Sequence, residues 1–229
     1  MITDISGLTA DISSLITGIS GLTAGVLTDS WVHLILRSDP ECRIVYERPQ
    51  KFFVWVCSMG CGIWVDLFLQ ERGILFMLFC GILAAYLFTA VLTDIQTCEV
   101  YNFLPAVTAA VGALMHILMG KSFFTGAYST VLKASMGRDR LISWSVFLIL
   151  QLLLFMRMYG KADGYAFLVC ALFENRFGGG LLTYLLHMGS AFALLCVVQA
   201  LRRNINRNGN LKNPVPFLPY IAATVWWFL

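Results

Sequence analysis

The chain has 229 residues, 59% of them hydrophobic and only 13% charged. Adding its 19 glycines brings the apolar share to roughly two thirds, against about 45–50% for a soluble domain, and the charged share is about half the usual quarter. A soluble globule of this size could not hide that much apolar surface. The composition therefore excludes a soluble enzyme, a disordered chain and a nucleic-acid binder as readings of the whole chain, and points to an integral membrane protein.

The N-terminal segment carries Asp4 and Asp11 and no Lys or Arg before Arg37. It lacks the positive start of a secretory signal, so no cleaved peptide is expected. Ile-Ser-Gly-Leu-Thr-Ala occurs at 5–10 and again at 19–24. The spacing is close to four helical turns, which reads as a local duplication in one long first helix. Apolar runs then mark candidate spans at 15–36, 52–69, 73–93, 103–119, 141–159, 164–178, 180–201 and 216–229. At about 20 residues per span, these fill the chain, so 1–229 reads as a single all-α domain, a polytopic membrane bundle of about eight transmembrane helices. The sixth and eighth runs are short. Residues 122–136 include Lys133 and mixed polarity, and read as an interfacial segment rather than a span.

With the N-terminus outside, ten Lys and Arg residues fall in the inner loops and six in the outer ones, a bias that favours this orientation. Arg202-Arg203-Asn-Ile-Asn-Arg207 and the residues up to Asn213 form the strongest basic loop. The seven cysteines are an odd number lying mostly in apolar runs. Cys57 and Cys61 have no second pair or nearby His, so neither a disulfide framework nor a zinc site is expected. His33, His116 and His187 lie in three different spans and read as packing residues rather than metal ligands. Gly60, Gly62, Gly112, Gly126 and Gly189 are positions where helices could approach closely.

Carboxylates in or at the ends of spans need a physical reason. Asp29, Asp66, Asp94 and Asp163 are such positions. The topology puts Asp94 and Asp163 at one depth on the cytoplasmic side, as a catalytic pair requires. Two neighbouring carboxyls in a low-dielectric site can divide the work of hydrolysis. The charged one takes a proton from the attacking water, and the protonated one hydrogen-bonds the carbonyl oxygen. Spacing alone leaves open two unrelated helix-end aspartates.

Leu92-Thr-Asp94-Ile-Gln-Thr-Cys-Glu99-Val-Tyr-Asn102-Phe-Leu-Pro-Ala-Val107 resembles the first active-site segment of the type IV prepilin peptidases, membrane aspartic proteases of the Gly-x-Gly-Asp type. In that segment a span ends in the catalytic Asp, and Ile-Pro-Asn or similar precedes the next helix. Tyr159-Gly160-Lys161-Ala162-Asp163 resembles the second, in which Gly-x-Gly-Asp opens a helix. Gly21-Leu-Thr-Ala-Gly25 running on to Asp29 is similar to the family's glycine-rich first helix, and Pro214-Val-Pro-Phe-Leu-Pro-Tyr220 to the segment that begins its last.

The resemblance covers most of the chain in the expected order. It implies a hydrolase of the cell inner membrane, with Asp94 and Asp163 catalytic, Gly160, Lys161, Ala162 and Asn102 around them, and no cofactor or metal. The implied partner is a prepilin-like precursor of a type IV pilus or secretion system, with a basic leader in the cytoplasm that Glu41, Glu47 and Glu99 could orient. The sequence departs from the family pattern twice: Ala162 replaces the second glycine, and Tyr165 stands where Lys is usual. The cysteine-rich zinc-binding insert of the methylating relatives is missing, since Arg37 to Lys51 contains only Cys42, which argues against methyltransferase activity. A non-catalytic scaffold of a secretion machine, and an ion- or proton-coupled transporter, remain alternative readings.

Overall fold

The computed structural model describes residues 4–39, 44–69, 74–97, 100–122, 130–176, 180–205 and 215–229. Every regular element among them is helical: α1 (Asp4–Ser38), α2 (Arg48–Leu69), α3 (Ile74–Thr97), α4 (Phe103–Ser122), α5 (Thr130–Leu153), α6 (Lys161–Arg176), α7 (Leu181–Ile205) and α8 (Leu218–Thr224), with 3₁₀ turns at Phe155–Arg157 and Val225–Trp227. The all-α expectation holds. Three helical segments among the described residues are long and apolar enough to cross a membrane: Gly18–Ser38, Phe76–Thr97 and Leu181–Arg202. The 16 residues of α6 reach only about 24 Å at 1.5 Å per residue. The expected last span, 216–229, is a helix of seven residues followed by a 3₁₀ turn. Its prolines explain the late start: Pro219 has no N–H to donate and suits the first turn of a helix better than its interior. Residues 130–136, read from sequence as interfacial, are continuous with α5.

The chain divides into two compact units, Met1–Thr97 and Cys98–Leu229. In the first unit α1 packs on both α2 and α3. The approach is close because glycine stands where the helices meet. A Cβ built on Gly62 of α2 would lie 2.9 Å from the backbone nitrogen of Gly21, and one on Gly21 would lie 2.9 Å from the Ser58 carbonyl oxygen. On the other side of α1, a Cβ on Gly81 of α3 would lie 2.8 Å from the Ser20 carbonyl oxygen. Gly25 takes the indole of Trp55 at 2.8 Å from the same kind of built Cβ. Small residues thus let backbone meet backbone, the packing that serves helices lacking a hydrophobic drive in lipid.

The expectation for the glycines holds at Gly62 and at Gly112, which sits against Leu172 and Phe173. It fails at Gly60 and Gly189, where a Cβ would meet nothing within 4 Å. Gly126 lies outside the described residues.

In the second unit α6 is central, touching α4, α5, α7 and α8. Its run from Ala166 to Ala171 is buried without interruption, and Phe173 and Glu174 are buried as well. Residues 166–171 are thus enclosed on all sides, while Lys161 and Tyr165 nearer the start of the helix are exposed.

Candidate functional site

In the first unit, Asp94 lies in the last turn of α3 and is half-buried. That turn is tied to the connection between α1 and α2. The Val45 N–H donates to Gln96 Oε1 at 2.6 Å, and Gln96 Nε2 donates to the Val45 carbonyl oxygen at 3.1 Å. The side-chain amide of Gln96 therefore pairs with both polar groups of one extended residue, as a neighbouring strand would. Ile44 and Tyr46 are buried while Val45 and Glu47 are exposed, the alternation of an extended segment. Glu47, expected as a substrate contact, is exposed, and its N–H donates to Gln50 Oε1 at 3.2 Å. Gln50 follows three residues later, so the pair is half of a capping box at the start of α2.

Beside this connection lies a polar cluster. Lys51 Nζ is 3.7 Å from Asp29 Oδ1 and 3.1 Å from His33 Nε2, and it lies 5.2 Å from the centre of the Tyr46 ring. The same His33 nitrogen lies 3.8 Å from Asp29 Oδ2, so the imidazole sits between the ammonium and the carboxylate. Burial, and then the Asp29 charge, push the Tyr46 phenol well above its ordinary range. Asp29 thus anchors Lys51 at the mouth of the α1–α2 pair.

In the second unit, Gly160 precedes α6, and Lys161, Ala162 and Asp163 form its first turn. Asp163 is half-buried, and its carboxylate turns back over Gly160, where a Cβ would stand 3.4 Å from Oδ2. A carboxylate in the first turn faces the unpaired N–H groups and the positive end of the helix dipole, an interaction of about 0.3–1 kcal/mol. Asp94 sits at the opposite, unfavourable end of its helix. Ala162 lies within regular α-helix, so the residue before Asp163 needs no left-handed backbone and the loss of glycine there imposes no strain.

Tyr159 is within electrostatic reach of Asp163. Its hydroxyl donates to Gln151 Oε1, and its ring meets those of Phe167, Phe192 and Phe217 at 5.6–6.0 Å. These rings form an aromatic floor behind the first turn of α6. Asn102 is exposed immediately before α4, a position where Asn suits the start of a helix.

Glu41 and Glu99 lie outside the described residues, as do Cys42, Cys98 and most of the basic run 202–213. Asp66 and His116 are described only as backbone of α2 and α4. Asp94 belongs to the first unit and Asp163 to the second.

One pair escaped the sequence reading. Glu174 and His187 are 0% and 1% exposed, and Glu174 Oε1 lies 2.5 Å from His187 Nδ1. The signal was present: Glu174 lies inside the run 164–178, and the rule that drew attention to four aspartates applies equally to a glutamate. Among the described residues no group of three His, Cys, Asp or Glu side chains could hold a metal ion.

Compared with protein-family models, curated proteins and solved structures, the chain matches none.

Proposed function

We propose that the chain is a multi-pass membrane aspartic endopeptidase that removes the cytoplasmic leader from prepilin-like precursors. The observation that carries this reading is the pair of motif segments, each of which brings a half-buried aspartate to a helix end: Asp94 in the last turn of α3 and Asp163 in the first turn of α6. In this reading the two carboxyls share the chemistry. Asp163, at a helix N-terminus that favours negative charge, takes the proton of the attacking water. Asp94, at a C-terminus that disfavours it, holds a proton and hydrogen-bonds the scissile carbonyl. The hydrolysis then consumes one water and leaves an amine and a carboxylate, with no group required from outside the chain.

A location in the cytoplasmic membrane, with the active site on the inner face and further spans beyond the three apolar segments, belongs to the same proposal. It is supported by the charge bias of the loops and by large apolar side chains left exposed along α2 and α7, among them Phe52, Ile63, Leu67, Leu186 and Val197.

The test is cleavage of a co-purified prepilin by the full chain in detergent, read by product mass. Asp94→Asn and Asp163→Asn should each abolish cleavage while Asp29→Asn retains it. Near-full activity in either of the first two variants would refute the pair.

A further inference from the structure

Glu174 follows Asp163 by three helical turns, about 16 Å along α6. Phe167 lies between them on the same face, its ring edge-on to His187 at 5.5 Å and packed against Phe217 at 5.8 Å. The Glu174–His187 pair is thus set apart from the first turn of α6 by an aromatic layer. Phe228 covers the imidazole as well, with ring centroids 5.5 Å apart.

His187 Nε2 lies 3.3 Å from the Ile221 carbonyl oxygen. A carbonyl only accepts, so Nε2 carries a hydrogen, and the state of the pair reduces to the position of one proton near Nδ1. With that proton on Nδ1, the pair is imidazolium and carboxylate. With it on Glu174, the pair is a carboxylic acid donating to a neutral imidazole.

A buried carboxylate needs donors on both oxygens, because each charged oxygen has lost its water. Both Glu174 oxygens are buried: Oε1 has only the close contact with His187 Nδ1, and Oε2 has no hydrogen-bond partner among the described residues. The nearest polar side chain one turn back on α6 is Cys170, whose thiol is a weak donor. An undissociated acid asks less of these surroundings: Oε1–H is taken up by Nδ1, and the remaining carbonyl oxygen carries no net charge.

From this geometry we propose that Glu174 is an undissociated acid donating to His187 Nδ1, so that Glu174, His187 and the Ile221 carbonyl form a neutral proton-holding bridge across α6, α7 and α8. This proton site is separate from the two aspartates and does not depend on any enzymatic role for them.

Two measurements on the full-length protein in lipid at neutral pH test it. With carbon-13-labelled glutamate, infrared spectra should show the carbonyl stretch of an undissociated carboxylic acid. The band should shift with the label and vanish in Glu174→Gln, whose amide can still donate to Nδ1. Carboxylate bands alone from the labelled wild type would overturn the proposal. The second measurement needs no change at the pair. With nitrogen-15-labelled histidine, only three imidazoles contribute, and His33→Asn and His116→Asn identify the signals of the other two. His187 should then show one protonated and one unprotonated ring nitrogen. Two protonated nitrogens would refute the neutral bridge even if Glu174→Gln fails to fold.

Discussion

Gly60 and Gly62 stand two residues apart on α2, and the same substitution at each should have opposite effects. An alanine Cβ at position 62 would lie 2.9 Å from the nitrogen and 3.0 Å from the Cα of Gly21. Carbon contacts settle at about 3.5–4.0 Å, so α1 and α2 must part by about half an ångström or more, and the obstacle is backbone rather than a side chain that can swing away. Overpacking of this kind costs about 1–3 kcal/mol, while replacing a mid-helix glycine returns about 0.5–1 kcal/mol. The net loss for Gly62→Ala is then about 1 kcal/mol at the middle of these ranges and up to about 2.5 kcal/mol. Gly60→Ala meets nothing within 4 Å and should gain the helix term of about 0.5–1 kcal/mol alone. Thermal unfolding of the full chain in one detergent, followed by helical circular dichroism, should show the midpoint falling for Gly62→Ala and rising for Gly60→Ala. Equal shifts in the two variants would refute the backbone contact at Gly21.

Gln96→Ala removes both bonds to Val45 and should cost about 1–3 kcal/mol at roughly 0.5–1.5 kcal/mol per bond. The loss should appear as faster amide exchange at Val45, with the cores of α1 and α3 unchanged. The Tyr46 phenol has a folded-state pKa raised above the ordinary 10.0, so its contribution to stability is full below pH 10 and is lost as pH rises beyond it. Tyr46→Phe should therefore flatten the alkaline side of the stability profile measured by thermal unfolding. Ala162→Gly should lower the thermal midpoint by an amount equivalent to up to about 1 kcal/mol, because position 162 is ordinary helix; an unchanged or raised midpoint would show that the first turn of α6 prefers glycine after all.

Long apolar runs made α3 and α7 legible, because a continuous stretch in this composition has few alternatives to a helix. The polar first half of α5 was not legible as part of that helix, since Lys133 and Asp139 interrupt the apolar pattern and hydropathy alone does not report helical continuity. Glycine composition showed that helices approach closely, but it could not separate Gly60 from Gly62: the difference is which side of α2 faces α1, and α2 carries apolar residues on both. The helix-end positions of Asp94 and Asp163 were legible through their local patterns. The Glu174–His187 pair is not legible in sequence, because its two members lie on different helices, α6 and α7, and nothing in either local pattern points to the other.

The amide of Gln96 grips a single extended residue from both sides, two positions beyond Asp94. A grip on both the donor and the acceptor of Val45 resists sliding as well as separation, so residues 44–47 are coupled to the last turn of α3. A molecule that binds residues 44–47 from solution therefore has leverage on the turn that carries Asp94 without touching the aspartate itself.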